Sequence, residues 1–456
     1  MTPRLLLRVG GIALGGSLLY EGAQSNAPLV VAGALLLLIL AAAGRERSDA
    51  LTSSVRRFQL PTRGVLLVVA ALVLVAIGWL NGLLSPPLRS PTPYGNDAVV
   101  LDECAAQVLL GGRDPYGSLR FFHCYAARGI GPSHTTPLRA GAFADVTLYP
   151  SDAQQEAAWA ADRRACLAKP SAATCEPAEF VWRLSYPALS VGLILPWVAL
   201  GWDTNLLYLL CLIAAIALVL VRARAGARPA LLVGILAAVS VPALALGGSV
   251  DLLYALPLVA AWLWRERRWS ALALGISTAV KQLAWPFAAL YLIQVGSRAG
   301  RREAALRAAL VGGVFAAANA PFVMWDARSW LAGIITPVAA PMFPRGIGIV
   351  SLATTGLLPL LPGPAYLVME GLAGLGVLVI AWRTRRSSPE LGAVLALIPL
   401  FFAWRSLSSY FYLLPLFAAA AIARLPATEP STERSRERPD AVRDAPAATS
   451  TLARDL

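Results

Sequence analysis

Thirteen apolar runs follow one another along this 456-residue chain, at roughly 5–20, 28–44, 64–84, 185–200, 204–221, 230–246, 252–264, 270–296, 308–324, 348–361, 365–382, 391–404 and 408–423. The run at 64–84 is long enough for a helix to cross a hydrocarbon core of about 30 Å. Several others are shorter and predict tilted, broken or re-entrant pieces. Hydrophobic residues make up 57% of the chain and charged ones 14%, whereas soluble domains carry about 25% charged residues. A soluble enzyme and a disordered protein are thereby excluded. The expectation is an all-α polytopic membrane protein of about 10–13 transmembrane or re-entrant helices, with one large extracytoplasmic loop between membrane helices.

The formal charge of +13 does not point to nucleic acid. Residues 85–184 carry 9 basic and 10 acidic groups, and residues 425–456 carry 5 and 6. The remaining surplus of basic groups lies between apolar segments, the pattern of cytoplasmic loops. A basic groove interleaved with aromatic side chains, as nucleic-acid binding requires, is absent. Arg45, Arg47, Arg56, Arg57 and Arg63 put the loop before 64–84 inside, so residues 85–184 fall outside. Further arginine loops at 222–228, 265–268, 298–307 and 383–386 also belong inside. Simple counting of crossings then fails at 185–221 and 270–296, and broken helices there restore it. Broken backbone at membrane depth is tolerated only inside protein or along a cavity, so the mismatch hints at a site.

Three parts are expected: two N-terminal helices with a basic loop (1–63), a membrane domain (64–424) containing the outer loop 85–184, and a disordered cytoplasmic tail (425–456). The first run has the basic start of a signal peptide in Arg4 and Arg8. Glycines interrupt it and a second apolar run follows at once, which favours a retained helix. Cys104, Cys124, Cys166 and Cys175 all fall in the outer loop, and only Cys211 lies in a membrane run. Four cysteines in an exported loop read as two disulfides with three possible pairings, or as four reduced thiols. No C-x-x-C occurs and His123 and His134 lack ligand spacing, so no metal site is expected.

Lysine is the conspicuous residue. The chain has 37 arginines and two lysines, Lys169 in the outer loop and Lys281 inside GISTAVKQLAWPFAALYLI. A cation in hydrocarbon costs roughly 2.5–3.5 kcal/mol on insertion scales. Lys281 therefore either snorkels or pairs internally, or it faces a cavity and holds an anion; two short helices, 270–280 and 283–296, would meet beside it and Gln282. Asp251, in ALGGSVDLLYALP, either caps the helix after it or grips a ligand. Arg405, among the aromatics of FFAWRSLSSYFYLLP, suits phosphate through its planar fork, or anchors at the interface with Trp404, Tyr410 and Tyr412. In YGNDAVVLDECAAQVLLGGRDPYG the apolar positions predict a helix from Asp97 to Leu110 lying on the membrane surface. Asp97 opens it and Asp102 follows. A carboxylate there serves as a general base toward an alcohol or as a plain cap.

Asp97, the helix ending Leu109–Leu110–Gly111, the Asp114–Pro115–Tyr116 turn, Tyr186–Pro187 with Pro196, and Gly275 followed by Lys281 and Pro286 resemble the GT-C superfamily of membrane glycosyltransferases. Their order is most similar to glycosyltransferase family 87, across about residues 64–424. The resemblance implies transfer of a hexose such as mannose from a polyprenyl-phosphate carrier to a hydroxyl of a lipid, glycan or protein acceptor, on the outer membrane face and with inversion. It implies Asp97 as catalytic base and Lys281 and Arg405 as ligands of the donor phosphate. Asp251, Gln282, Asp102 and Tyr186 are then expected to contact substrate. No cofactor beyond the lipid-linked sugar and no metal is expected, and the partners are membrane lipid, donor and acceptor. A transporter or flippase for an anionic or lipid-linked substrate is the alternative, since it too would bury charges at broken helices. A scaffold with purely structural charges is the third reading.

Overall fold

The computed structural model describes residues 3–44, 60–80, 97–168, 177–246 and 249–425. Most of the arginine-rich loop at 45–59, the end of the 64–84 run, Cys175, Lys169 and nearly all of the C-terminal tail lie outside these residues. The described chain is almost entirely helical. In order it forms α1 (Pro3–Gln24), α2 (Pro28–Ala42), α3 (Thr62–Leu80), α4 (Asp97–Leu110), α5 (Phe121–Ala127), α6 (Asp152–Leu167), α7 (Leu189–Ala199), α8 (Thr204–Arg222) and α9 (Arg228–Ala237). It continues with α10 (Ser240–Leu246), α11 (Asp251–Leu263), α12 (Trp269–Val280), α13 (Trp285–Ala299), α14 (Arg301–Ala339), α15 (Ile349–Thr354), α16 (Gly363–Thr384), α17 (Gly392–Leu395) and α18 (Leu414–Ala423). Among the described residues α8, α14 and α16 are long and apolar enough to cross a membrane by themselves. The shorter apolar helices are the broken pieces that the sequence predicts, with the 270–296 run interrupted at Lys281.

One large apolar core joins these helices, and α1 and α2 belong to it through Ile12, Leu19, Val31 and Leu38. Gly275 lets α12 approach α14 closely, because a Cβ there would lie 2.7 Å from that of Val314. The long α14 bends at Asp326, whose backbone is extended (φ −152°, ψ 91°). Its carboxylate accepts from the Arg328 and Ser329 amides, 3.0 Å each, and so caps the second half.

The arginine loops gather at one end. Arg228 donates to the Leu60 carbonyl, Arg307 to those of Arg265 and Glu266, and Arg424 to that of Leu263. Glu390, itself 4% exposed, accepts from Arg265, Arg424 and the Trp262 indole. This agrees with a shared side for the loops at 222–228, 265–268 and 298–307.

The 97–183 region builds a second, aromatic core. The Trp159 ring meets those of Phe121, Phe122 and Phe180 at 4.9–5.5 Å between centroids. The helix carrying Trp159 starts with a capping box, Ser151 and Gln154 satisfying each other's backbone amides. Phe343, from the segment after α14, packs on Phe143 within the same core.

Helix α4 has the predicted boundaries but not the predicted setting. It is buried between the two cores instead of lying on a membrane surface. Ala98, Val99, Ala105 and Ala106 enter the large core, while Val100, Leu101, Cys104 and Val108 enter the aromatic one. Apolar residues on two faces are what such a sandwiched helix needs. A disulfide, Cys104–Cys124, fastens α4 to α5. Cys166 is disulfide-bonded too, and Cys211 is free.

Replacing both Cys104 and Cys124 by serine is expected to lower stability by about 2–5 kcal/mol. The readout is the thermal midpoint of the purified protein; a variant that melts with the wild type would remove the bridge from the account of α4.

Candidate active site

The site starts from a broken helix. Helix α12 stops at Val280, and Lys281 has extended backbone (φ −151°, ψ 141°). A single 3₁₀ turn, Gln282–Ala284, leads into α13, with Pro286 in its first turn, where a missing N–H costs nothing. The break frees Lys281 to reach α11, and its Nζ lies 2.6 Å from Asp251 Oδ1. Ser249 Oγ donates to Asp251 Oδ2 at 3.0 Å. Both side chains of the pair are buried, and the ammonium lies 4.9 Å from the centre of the Tyr186 ring. Of the two readings of Lys281, the structure has the internally paired lysine. Removing an ammonium from water costs several kcal/mol, and a buried carboxylate at contact distance offsets that cost. Asp251, expected to face a sugar, has its two oxygens turned to Lys281 and Ser249.

Gln282 holds backbone, not ligand. Its amide nitrogen donates to the carbonyls of Ser185 (2.6 Å) and Ile334 (3.3 Å), which gives it a positioning role. The segment so held carries Tyr186. Its carbonyl accepts from the Tyr116 hydroxyl at 2.7 Å, and Asp114 braces that tyrosine's turn by accepting from the Tyr116 and Gly117 amides. The two sequence motifs, 114–116 and 186–187, are therefore in direct contact across 70 residues.

Asp97, the first residue of α4, accepts from Thr136 Oγ1 at 2.6 Å. Thr136 is fixed by the Val181 amide, which donates to its carbonyl at 2.8 Å beside an antiparallel bridge between Pro137 and Phe180. The Asp97 carboxylate acts electrostatically on Tyr149, Tyr186 and Tyr410; Asp251 acts on Tyr186 and Tyr410, and Arg405 on Tyr149 and Tyr410. Asp97, Asp251 and Arg405 thus act on a shared set of tyrosines, Tyr149, Tyr186 and Tyr410.

Among the described residues two short strands carry Arg345 and Arg405. β1 (Arg345–Gly346) and β2 (Arg405–Ser406) pair in parallel, with Arg345 opposite Arg405. Arg345, Thr136 and Tyr149 were not singled out by the sequence reading. The signal for Arg345 was R-G-I-G at 345–348, two glycines that permit close backbone pairing.

Asp102 is corrected. It is wholly buried, and one oxygen accepts from Ser190 Oγ at 3.3 Å while the other has no hydrogen-bond partner. It lies on a helix buried on two faces, with its carboxylate against Ser190 of α7. Burial pushes its carboxyl up to about 8, against the Lys281 charge and the Ser190 hydrogen bond, with Glu103 adding to the rise. Among the described residues no three His, Cys, Asp or Glu side chains gather as metal ligands.

Residues 184–404, just short of half the chain, match the model of glycosyltransferase family 87. The chain resembles that family over this stretch, in agreement with the likeness drawn from its motifs. The matched stretch contains Tyr186, Asp251, Lys281, Gln282 and Arg345; Asp97 precedes it and Arg405 follows its last residue. No curated protein and no solved structure matches the chain.

Two outcomes follow from the buried charges. Lys281→Met should destabilise by about 3–5 kcal/mol, because it strands the Asp251 carboxylate. Adding Asp251→Leu should restore most of this; a double variant as unstable as the two losses summed would mean the residues do not interact. For Asp102, the folded state keeps a proton that the unfolded chain releases near pH 3.8. Its contribution is complete below that pH and is lost as pH rises toward about 8. Asp102→Asn should flatten the midpoint-against-pH curve across this window and melt above the wild type at pH 8; an unchanged slope would assign the titration to another group.

Proposed function

We propose that this protein transfers a hexosyl group from a polyprenyl-phosphate carrier to an acceptor hydroxyl, with inversion, on the extracytoplasmic face of the membrane. The observation that carries the reading is the Asp97 carboxylate, held by the Thr136 hydroxyl and within electrostatic reach of the tyrosines on which Arg405 also acts. The family 87 resemblance supports sugar transfer. The Cys104–Cys124 bridge on the helix that carries Asp97 supports the extracytoplasmic side, since disulfides persist in oxidising compartments.

In this mechanism Asp97 takes the proton of the acceptor hydroxyl as its oxygen attacks the anomeric carbon. The new C–O bond forms as the anomeric carbon–phosphate oxygen bond breaks, and polyprenyl monophosphate leaves with the electron pair. Attack opposite the leaving group inverts the anomeric centre. Cations set where the phosphate charge develops lower the barrier. Arg405 is assigned to that task, and the Lys281–Asp251 pair, its charge largely committed internally, lies against the Tyr186 ring. Donor, acceptor and membrane lipid are the partners, and mannose is the sugar the resemblance suggests first.

The test is polyprenyl-phosphate release from polyprenyl-phosphate-mannose and -glucose by protein in liposomes made with envelope lipids. Asp97→Asn should lose about 10²–10⁴-fold in turnover while keeping donor binding. Full turnover in that variant would overturn the assignment of the base, and donor flipping without sugar release would favour a transporter.

A further inference from the structure

We propose that Arg345 and Arg405 together form a two-armed guanidinium clamp for a phosphate monoester anion; within the transferase reading, on which this rests, that anion is the phosphate of the lipid-linked donor and of its leaving group. The backbone makes the pairing obligatory. The Arg345 amide donates to the Trp404 carbonyl at 3.3 Å and the Ile347 amide to the Ser406 carbonyl at 2.8 Å. Gly346 has φ +136°, and a Cβ on it would overlap the Ser406 carbonyl; one on Gly348 would overlap the Phe401 carbonyl and Ser406 Oγ. Only glycine allows two chains to lie this close with such torsions. The register that results puts one arginine opposite the other.

Two like charges directly opposite each other on neighbouring strands repel. The chain offsets its other clustered arginines: Arg265 and Arg424 sit on Glu390, and Arg268 and Arg307 on Glu303. Among the described residues no carboxylate pairs with Arg345 or Arg405. Instead, both charges act on Tyr149, and the Arg345 guanidinium lies 4.0 Å from the centre of that ring. Arg405 Nη1 has Met342 Sδ, 3.3 Å away, a weak acceptor. Stacking aligns the planar fork of Arg345 without using up its donors, and the planar fork is the group that binds phosphate through two parallel hydrogen bonds. The Asp97 carboxylate also acts on Tyr149, so the clamp and the base share one wall of the site.

Polyprenyl monophosphate is the probe, because it carries the phosphate and needs no knowledge of sugar or acceptor. Its affinity would be measured by thermal shift in detergent for wild type, Arg345→Gln, Arg405→Gln, the double variant and Arg345→Lys, each first checked for its unliganded midpoint. Inorganic phosphate and an uncharged polyprenol serve as the other two arms. The expected result is a loss on the order of 10- to 100-fold for each single glutamine variant. The double variant should lose less than the product of the two, since both arms hold one anion, and Arg345→Lys should fall between wild type and Arg345→Gln. Wild-type affinity in a folded Arg345→Gln or, if that variant does not fold, in Arg345→Lys would overturn the clamp; if Arg405→Gln were weakened at the same time, the donor reading would stand. Strictly independent losses would also overturn the clamp. Inorganic phosphate binding as tightly as the lipid would show a free-phosphate site and overturn the donor assignment. No binding of polyprenyl monophosphate to folded wild type would overturn both the clamp and the transferase reading.

Discussion

A buried ammonium cannot stand alone in an apolar interior, and much of the structure around the site follows from where Lys281 finds its counter-charge. The helix must break for its side chain to reach Asp251, and Pro286 makes the restart of the helix inexpensive. Breaking the helix releases Gln282 from regular pairing, and its amide then secures Ser185 and Ile334. The strand-like segment so secured presents Tyr186 to the ammonium and its carbonyl to Tyr116. One electrostatic requirement therefore links α11, α12, α13, α14 and the loop turn at 114–116.

A second constraint is that Asp97 sits on a helix belonging to two cores. Helix α4 has no solvent-facing side to speak of, and its disulfide to α5 removes what rotational freedom the packing leaves. The aromatic core takes in Phe343 from a segment about two hundred residues away and so brings β1 beside Tyr149. Asp97, Tyr149 and the arginine pair are thus carried by distant stretches of chain that meet on this core. The family 87 match spans only part of this: it includes the broken helix and Arg345, while Asp97 and Thr136 lie before it. The frame that handles charge and the loop that supplies the base are separable in sequence.

The opposite end shows the contrast in charge management. There, arginines from three stretches of chain meet Glu390, Glu303 and Glu266, and the indole of Trp262 adds a donor. Such networks set arginine against carboxylate and hold loops together. At the site the chain does the reverse, exposing Arg345 opposite a half-buried Arg405 with an aromatic ring instead of a carboxylate for company.

The amino-acid sequence alone determined the class of protein, because apolar runs and arginine loops act through bulk solvation, which is local and additive. It determined the break at Lys281 and the bounds of α4, since a charge and a proline in an apolar run, or an acidic start to an apolar helix, act within one or two turns. It marked Asp97, Asp251, Lys281 and Arg405 for the same reason: a charge in an apolar setting is visible without a partner. Only the tertiary structure decided who the partners are. Asp102 and Gln282 look like ligands in one dimension, yet one is enclosed between helices and the other clamps backbone. Arg345, one arginine among 37, is distinguished solely by the strand that lies against it. Pairing of residues 60 apart or 30 apart depends on packing of whole helices, and packing is a property of the fold that no local pattern contains.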